Sequence, residues 1–417
     1  MNKFFFDEPE LPLFSDSDFQ NTPIIQKYET LFSYLDLSHI KSHNYGKGCS
    51  GYSSHSMIKA LIVKVLERIP SIPNLIWRLK NDPYLTRYVI GFKDTIPDES
   101  QFYRFLNKFH TSDIEKIIAD VNRKTLDITQ SKIETVIIDS KPIIANTKEN
   151  NPKNFYHNLT DKTKKPKRNK QSTLSYFSST NDINGYKKTL FFWGYRMHIL
   201  FGGNDVIQLP LTAKLFPNNV KDNIAAENII NKLKRFYHIK KSNQPILIGD
   251  KGYDAYNVYE LFNRLFAGKE VIAENKRNKK DDKNLIPICL ANLEMNYDSC
   301  WYDKAGHRIR LKFRCPILNE QCTFRKTHYG CTKYRQIKDV IPGKVYKHQA
   351  LFKQFYPQRF KIEQYNSVLQ HYGQETPNHF KRKAIENTIM FTILGSVLIA
   401  AHNARKEILK VPLKKSA

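Results

Sequence analysis

The sequence Pro245-Ile246-Leu247-Ile248-Gly249-Asp250-Lys251-Gly252-Tyr253-Asp254 contains a short apolar run that ends at an acidic residue. A short apolar run followed by a glycine-rich turn is typical of a buried β-strand. A second run of this kind, Thr135-Val136-Ile137-Ile138, ends at Asp139. The two patterns together predict two core strands, each with a carboxylate at its end.

A third acidic residue, Glu363, lies in the stretch Tyr356-Pro357-Gln358-Arg359-Phe360-Lys361-Ile362-Glu363, which has the pattern of a helix start. Two carboxylates at strand ends and one on a helix can converge on divalent metal ions. Two such ions about 4 Å apart stabilise both the attacking and the leaving oxygen of a phosphodiester displacement. We therefore predict that Asp139, Asp250 and Glu363 are catalytic residues and metal ligands, with Mg²⁺ or Mn²⁺ as the metal.

Two other acids compete for these roles. Asp254 precedes the apolar stretch 255–265, where it would cap a helix, and Asp222 reads as a loop or cap residue. We expect both to be structural.

The charge of the chain points to a polyanionic partner. The 417 residues include 67 Lys and Arg against 40 Asp and Glu, which gives a formal net charge of +27. Binding of nucleic acid to such a surface releases counterions, so nucleic acid is the first expectation and an anionic membrane the second. A hydrophobic fraction of 41% is that of a globular protein.

The sequence also predicts where the protein works. The N-terminal residues show no signal-peptide core, and the longest apolar stretch, residues 388–401, is shorter than the ~20 residues of a membrane-spanning helix. We read that stretch as a buried helix and expect a cytoplasmic protein without a membrane partner.

The pattern changes along the chain divide it into four predicted parts. Residues 1–130 read as helical, and residues 131–267 as a mixed α/β region that contains a basic loop, 147–188. Residues 268–345 form a β-rich insertion, and residues 346–417 return to helices. The loop is either a solvated tether or an arm that binds phosphates through cations that include Lys165, Lys167 and Arg168.

Several motifs resemble those of bacterial insertion-sequence transposases of the DDE type. They are Asp139-Ser140-Lys141, Gly249-Asp250-Lys251-Gly252-Tyr253-Asp254 and Tyr356-x-x-Arg359-x-x-x-Glu363, with Gly194-Tyr195-Arg196-Met197-His198 between the first two acids. An N-terminal stretch, Pro97-Asp98-Glu99-Ser100-Gln101-Phe102-Tyr103-Arg104-Phe105, also resembles that family. The resemblance covers roughly residues 52–406.

This resemblance implies an RNase H-like core, that is, an α/β fold with a mixed sheet flanked by helices. A β-rich insertion would interrupt the core before Glu363, and an all-helical domain would precede it. The implied activity is DNA transposition: recognition of terminal inverted repeats, two-metal cleavage, and strand transfer into target DNA. The implied partners are double-stranded DNA and a second copy of the chain, or more, in the synaptic complex.

The helix with Glu363 carries the predicted DNA contacts nearest to the metals. Tyr356, Arg359 and Glu363 are three and four positions apart and share one helix face, so Tyr356 and Arg359 would contact the backbone of the bound end. The family often has a lysine seven residues after the glutamate, where this chain has Gln370. That departure removes one expected cationic contact.

The insertion carries two further predictions. Arg308 and Arg310 alternate with apolar residues in a β-like segment, 308–314, which favours a strand face turned to phosphates over an ordinary solvated face. The insertion also contains scattered cysteines and histidines that could bind a structural Zn²⁺ ion. They lack the Cys-x-x-Cys pair typical of zinc sites, so we do not expect zinc there. These residues are Cys300, His307, Cys315, Cys322, His328 and Cys331.

The helical region before residue 130 either recognises the transposon ends or serves in packing and dimerisation. Two other functions stay open for the whole chain: an RNase H-like nuclease without strand transfer, and a catalytically silent DNA-binding regulator. The presence of all three acids argues against the regulator.

Overall fold

The computed structural model describes residues 22–43, 51–93, 95–151, 166–176, 180–181, 187–188, 191–275, 286–303, 308–316, 331–337, 343–347, 349–372 and 377–410. The α-helices are α1 (Pro23–Phe32), α2 (Ser54–Leu66), α3 (Ile72–Lys80), α4 (Glu99–Lys108), α5 (Thr111–Ile128), α6 (Asp222–Phe236), α7 (Tyr256–Phe266), α8 (Ala350–Phe355), α9 (Phe360–His371) and α10 (Arg382–Lys410). A π-helix spans Leu85–Ile90, and short 3₁₀ helices span Lys148–Asn150, Lys241–Asn243, Lys251–Tyr253 and Tyr356–Arg359.

The strands are β1 (Thr135–Ile144), β2 (Thr173–Tyr176), β3 (Thr180–Asn181), β4 (Lys187–Lys188), β5 (Phe191–Gly203), β6 (Gln208–Pro217), β7 (Ile246–Gly249), β8 (Lys269–Ile272), β9 (Asn296–Asp303), β10 (Arg308–Arg314) and β11 (Thr332–Ile337). A six-stranded sheet has the order β2-β5-β1-β7-β8, and β6 also pairs with β5. The sheet is mixed, because β7 runs parallel to β1 and β8 whereas β5 is antiparallel to β2 and β6.

The chain forms two compact units. The first comprises residues 1–132, 140–220 and 365–417, and the second comprises residues 133–139 and 221–364. Strand β1 contributes its first residues to the second unit and its last residues to the first.

The first unit is built around the long helix α10, which packs against α2, α4, α5 and β6. Asn387 of α10 is fully buried and holds the α4–α5 turn, donating to the carbonyl oxygens of Leu106 (2.8 Å) and Phe109 (3.0 Å). The hydroxyl of Thr111 donates back to the Asn387 side-chain oxygen at 2.7 Å. Residues far apart in sequence thereby close the helical core.

Helix α10 is the one helix within the described residues that is long and apolar enough to cross a membrane, over Arg382–Glu407. Buried residues make up 72% of its most apolar window. A core helix has the same composition. The structure therefore agrees with the buried helix predicted for 388–401.

The second unit contains the parallel strands β1, β7 and β8, with α6 and α7 packed on each other. It also contains a separate three-stranded antiparallel sheet of order β11-β10-β9. Cys289, Met295, Leu311 and Phe313 form a small core beneath this sheet. The predicted strand 308–314 is present as β10.

These observations confirm the predicted fold class: an α/β protein with a mixed sheet, an N-terminal helical region and β-strands in the insertion. The side chain of Asp98 accepts a hydrogen bond from the Gln101 amide at 3.0 Å, as a helix N-cap should.

Three local differences from the sequence reading are informative. Strand β1 does not end at Asp139 but continues to Ile144, because Lys141 and Ile143 alternate inward in its second half. Residues 173–176 lie in the predicted loop 147–188 but form strand β2 against β5. The third difference concerns Asp254 and is described with the site.

Candidate active site

Asp139 and Asp250 occupy equivalent positions on neighbouring parallel strands. The register of β1 and β7 pairs Thr135 with Ile246 and ends with Ile138 opposite Gly249. Asp139 and Asp250 are the next residues after this last pair, Asp139 within β1 and Asp250 directly after β7. Both residues are half-buried. The parallel register therefore makes Asp139 and Asp250 neighbours across two adjacent strands.

The backbone after Asp250 turns at once into the 3₁₀ helix Lys251–Tyr253. Asp250 is extended (φ −77°, ψ 165°), and its carboxylate accepts a hydrogen bond from the Lys251 amide. The carboxylate of Asp222, in the first turn of α6, lies against Gly252, and a Cβ at Gly252 would force that side chain to move. Asp222 is the first residue of α6 and follows the N-cap residue Lys221, so it lies in the first helical turn rather than at the loop or cap position predicted for it.

Glu363 lies in the first turn of α9, in the same unit as the two aspartates. Its side chain is 54% exposed and forms an ion pair with Arg359, four residues earlier. The 3₁₀ helix Tyr356–Arg359 packs against strand β7, which leads into Asp250. The ring of Tyr356 stacks on Phe352 with a centroid distance of 4.8 Å. The helix segment that carries the third acid is therefore anchored beside the second acid's strand.

The structure brings the acids together only in part. Across the described ranges, no three His, Cys, Asp or Glu side chains lie close enough to hold a metal ion. Two carboxylates such as those of Asp139 and Asp250 are of the type that suits Mg²⁺, since that ion is usually held by one or two carboxylates, waters and substrate phosphates. Glu363 is engaged with Arg359 in this conformation.

Lys141 is a residue to which the sequence reading gave no separate role. It is 7% exposed, and its ammonium group donates to the main-chain carbonyl of Asn366 at 2.7 Å. Asn366 is three positions beyond Glu363 on α9, and Lys141 is two positions beyond Asp139 on β1. A lysine at an inward position of an alternating strand was the sequence signal for this contact.

Asp254 is not the helix cap that the sequence predicted. Helix α7 begins at Tyr256, and its N-cap residue Ala255 makes no side-chain hydrogen bond. The carboxylate of Asp254 instead accepts hydrogen bonds from the Tyr259 hydroxyl at 2.7 Å and the Lys344 ammonium group at 3.0 Å. It turns inward because a buried lysine and tyrosine offer stronger partners than the exposed helix start.

The histidine of the motif 194–198 lies in the core. His198 is fully buried on β5, and burial together with the nearby Arg196 lowers the pKa of its imidazole to about 3. The ring is therefore neutral near pH 7 and is unsuited to proton transfer at that pH.

The predicted DNA-binding cations of the basic loop differ in their surroundings. Lys167 and Arg168 are exposed, and the Arg168 guanidinium lies 4.5 Å from the centre of the Phe380 ring. Between these cations and the core, Asn169 is buried and donates to the carbonyl oxygen of Asn146 at 3.0 Å. Lys165 lies outside the described residues.

The basic face of β10 is paired with acids of β9. Arg310 forms an ion pair with Asp303 at 3.0 Å. Asp298 pairs with both Lys312 (3.2 Å) and Arg314 (2.9 Å). Arg308 begins the strand opposite Asp303. Local neutralisation by Asp303 and Asp298, which the sequence reading missed, reduces the positive charge of this face.

The described thiols of the insertion do not form a metal site. Cys289 is buried in the apolar core of the insertion, where Cys331 packs against it, Cys315 is buried, and Cys300 is exposed. No metal-binding group of three ligands is found among the residues that the structure describes. His307, Cys322 and His328 lie outside them.

Comparisons with known proteins agree with the motifs. A family model described as the transposase DDE domain matches residues 130–398, and a second, described as a transposase domain, matches residues 19–108. A comparison with curated proteins finds no significant match. Among solved structures, the chain is similar to a cryo-EM structure of the piggyBac transposase synaptic complex with hairpin DNA, at 9% identity and a TM-score of 0.32. That alignment covers 94% of this chain and 80% of the other. Because the first model spans most of the sequence and includes Asp139, Asp250 and Glu363, the chain belongs to the family of transposases with a DDE domain.

Proposed function

We propose that this protein is the transposase of an insertion sequence, which binds terminal inverted repeats, cleaves at the element ends and joins them to target DNA. The observation that carries the proposal is the parallel register of β1 and β7, because Asp139 and Asp250 are the residues that follow its last pair. The packing of Tyr356–Arg359 on β7 supports Glu363 as the third acid.

The three acids have defined roles in this proposal. Asp139 and Asp250 would hold the divalent metal, Mg²⁺ or Mn²⁺. Glu363 would become the third ligand once Arg359 exchanges its ion pair with Glu363 for a contact with a DNA phosphate. The bound metal would activate the attacking hydroxyl or water and stabilise the leaving oxygen. The Arg359–Glu363 pair is partly exposed, so its opening costs little.

DNA is the proposed partner. The formal net charge of +27 favours it, and exposed Lys167 and Arg168 provide phosphate contacts. Arg308 and Arg310 remain proposed contacts, but a DNA phosphate would have to compete with Asp303 for Arg310. Action at two ends implies at least two copies in the synaptic complex, and we infer that the protein works in the cytoplasm.

Cleavage and joining of the element's own ends test the proposal. Purified protein is incubated with Mg²⁺ and DNA that carries those ends, beside Asp250→Asn and the control Asp205→Asn. Asp205 is exposed in the turn between β5 and β6 and belongs to the first unit, whereas Asp250 belongs to the second. We expect end-specific cleavage and joined products with the wild type and the control. The Asp250→Asn variant should cleave the ends more slowly than the wild type by a factor above roughly 10–100. That range follows the loss of a residue that only supports a metal ligand, whereas Asp250 is proposed to be a ligand itself.

The products also decide between the alternatives. Cleavage without joined products would identify a nuclease. Tight binding to the ends without cleavage by the wild type, with either metal, would refute the catalytic proposal and identify a DNA-binding regulator.

A further inference from the structure

The carboxylate of Asp254 contacts the chain on both sides of the insertion: where it leaves the six-stranded sheet and where it returns. On the outgoing side, the amide of Asn275 donates to Asp254 at 2.8 Å. On the return side, the ammonium group of Lys344 donates to Asp254 at 3.0 Å. The hydroxyl of Tyr259, from α7, is the third donor at 2.7 Å. Asp254 thus holds both ends of the segment 276–342.

The Asp254–Lys344 pair is shielded from water. The side chain of Asp254 is 12% exposed and that of Lys344 is 6% exposed. Burial acts to raise the pKa of Asp254, but the hydrogen bonds from Asn275, Tyr259 and Lys344 outweigh it and lower that pKa below its usual value. Removal of one partner from a buried ion pair costs much more free energy than removal from a surface pair, because the other charge stays buried without compensation.

The return strand is fixed along its backbone as well. The Glu270 amide donates to the carbonyl of Gly343 at 2.9 Å, and the Val345 amide donates to the carbonyl of Glu270 at 2.8 Å. The Lys344 ammonium group lies 5.0 Å from the centre of the Tyr259 ring. Residues 343–345 therefore form a short extension beside β8. This pairing fixes the backbone of Lys344, and the contact with Tyr259 orients its side chain.

Asp254 is coupled in turn to Asp250 by a single tight turn. The Tyr253 amide donates to the carbonyl of Asp250 at 3.0 Å, and the Asp254 amide donates to that of Lys251 at 3.4 Å. Tyr253 is 1% exposed and anchors the middle of the turn. Because the turn is short and Tyr253 at its centre is buried, we expect a displacement of Asp254 to shift the backbone of Asp250 as well.

We propose that Asp254 is a positioning residue that, through Lys344, ties the two ends of the insertion to the metal-binding turn at Asp250. This inference rests on the proposed function of Asp250 as a metal ligand. The tie fixes the direction of the Asp250 carboxylate, so its loss weakens metal binding and slows cleavage without removing a ligand or a DNA contact.

The test compares Asp254→Asn, Lys344→Gln and their double variant with the wild type. Mn²⁺ binding to the DNA-bound protein is measured by electron paramagnetic resonance, and single-turnover cleavage is followed over a range of Mg²⁺ concentrations. The matched control is Glu260→Gln combined with Arg264→Met, which removes an exposed 2.9 Å ion pair on α7 in the same unit. Melting temperature and affinity for the ends in EDTA report folding and DNA binding.

Each single variant should weaken Mn²⁺ binding and raise the half-saturating Mg²⁺ concentration. The change should be at most the roughly 10–100-fold that follows loss of a direct partner of a metal ligand, because Asp254 acts on Asp250 only through the turn. The double variant should be no worse than the worse single one, because both changes break one pair. The control and the affinity for the ends should stay within about twofold of the wild type.

Wild-type metal affinity in Asp254→Asn and Lys344→Gln overturns the inference. Additive losses in the double variant also overturn it, since the two residues would then act separately. If Asp254→Asn does not fold, Lys344→Gln decides, because it leaves Asp254 with two donors. If the wild type cleaves no DNA, the proposed function fails, and the Mn²⁺ measurement still reports on the tie.

Discussion

Replacement of Glu270 by glutamine should change the pH dependence of stability. Glu270 lies on β8 with no exposed surface, and both of its carboxyl oxygens are buried without a hydrogen-bond partner among the described residues. Burial raises the pKa of this carboxyl to about 9. The folded protein therefore holds a proton on Glu270 at neutral pH, whereas the unfolded chain, with an ordinary carboxyl pKa, does not.

The sign of the effect follows from proton binding. Between the unfolded pKa, 4.5, and the folded pKa, about 9, the folded state binds one proton more than the unfolded state. The contribution of Glu270 to stability is thus fully present below pH 4.5 and declines by about 1.4 kcal/mol per pH unit above it. From pH 5 to pH 8 the wild type should lose about 4 kcal/mol that Glu270→Gln does not lose.

The assay is urea unfolding of the wild type and Glu270→Gln at pH 5, 6.5 and 8, with Glu260→Gln as the control. Glu260 is an exposed acid on α7, and its replacement should leave the pH dependence unchanged. Any constant cost of burying the glutamine amide cancels in the comparison across pH. A free-energy difference between wild type and Glu270→Gln that is the same at all three pH values would refute the reasoning.

Three further substitutions follow from the packing, and urea unfolding checks each. Gly343→Ala should destabilise the second unit by about 2–4 kcal/mol, because φ is +79° and a Cβ would overlap the Glu270 carboxylate. A loss below about 0.5 kcal/mol would contradict this prediction. Asn387→Ala should destabilise the first unit by about 2–4 kcal/mol, because two buried carbonyls lose their donor. Asn228→Ala on the exposed face of α6 is its control and should change little. Lys141→Met should cost about 1.5–3 kcal/mol through loss of the 2.7 Å bond to Asn366. An equally stable Lys141→Met protein would show that this bond contributes no net stability.

Local sequence patterns were sufficient for much of the fold. The apolar runs before Asp139 and Asp250 became strands β1 and β7, and the alternation of 308–314 became β10. The Asp98 cap was also predictable, because its partner, the Gln101 amide, is three residues away. In each case the property that predicts the element is found within a few consecutive residues, so a short stretch of sequence is enough to recognise it.

Pairings between distant residues could not be read in this way. Asp254 looked like a helix cap, and its partners Asn275 and Lys344 lie 21 and 90 positions away. The cations of β10 also looked like a phosphate-binding face. Their acidic partners Asp298 and Asp303 lie nearby, on the preceding strand, but only the antiparallel pairing of β10 with β9 shows that they stand beside these cations. The residues adjacent in sequence do not show whether a charged side chain will form an ion pair in the folded protein or remain in solvent.

The candidate site shows both contributions. The sequence by itself singled out the candidate catalytic side chains, because Asp139, Asp250 and Glu363 each stand in a distinctive local motif. Only the tertiary structure decided that β1 and β7 are neighbours in register. Strand order and register depend on which apolar faces bury one another across the whole chain, and that is a property of the packed core rather than of any short segment.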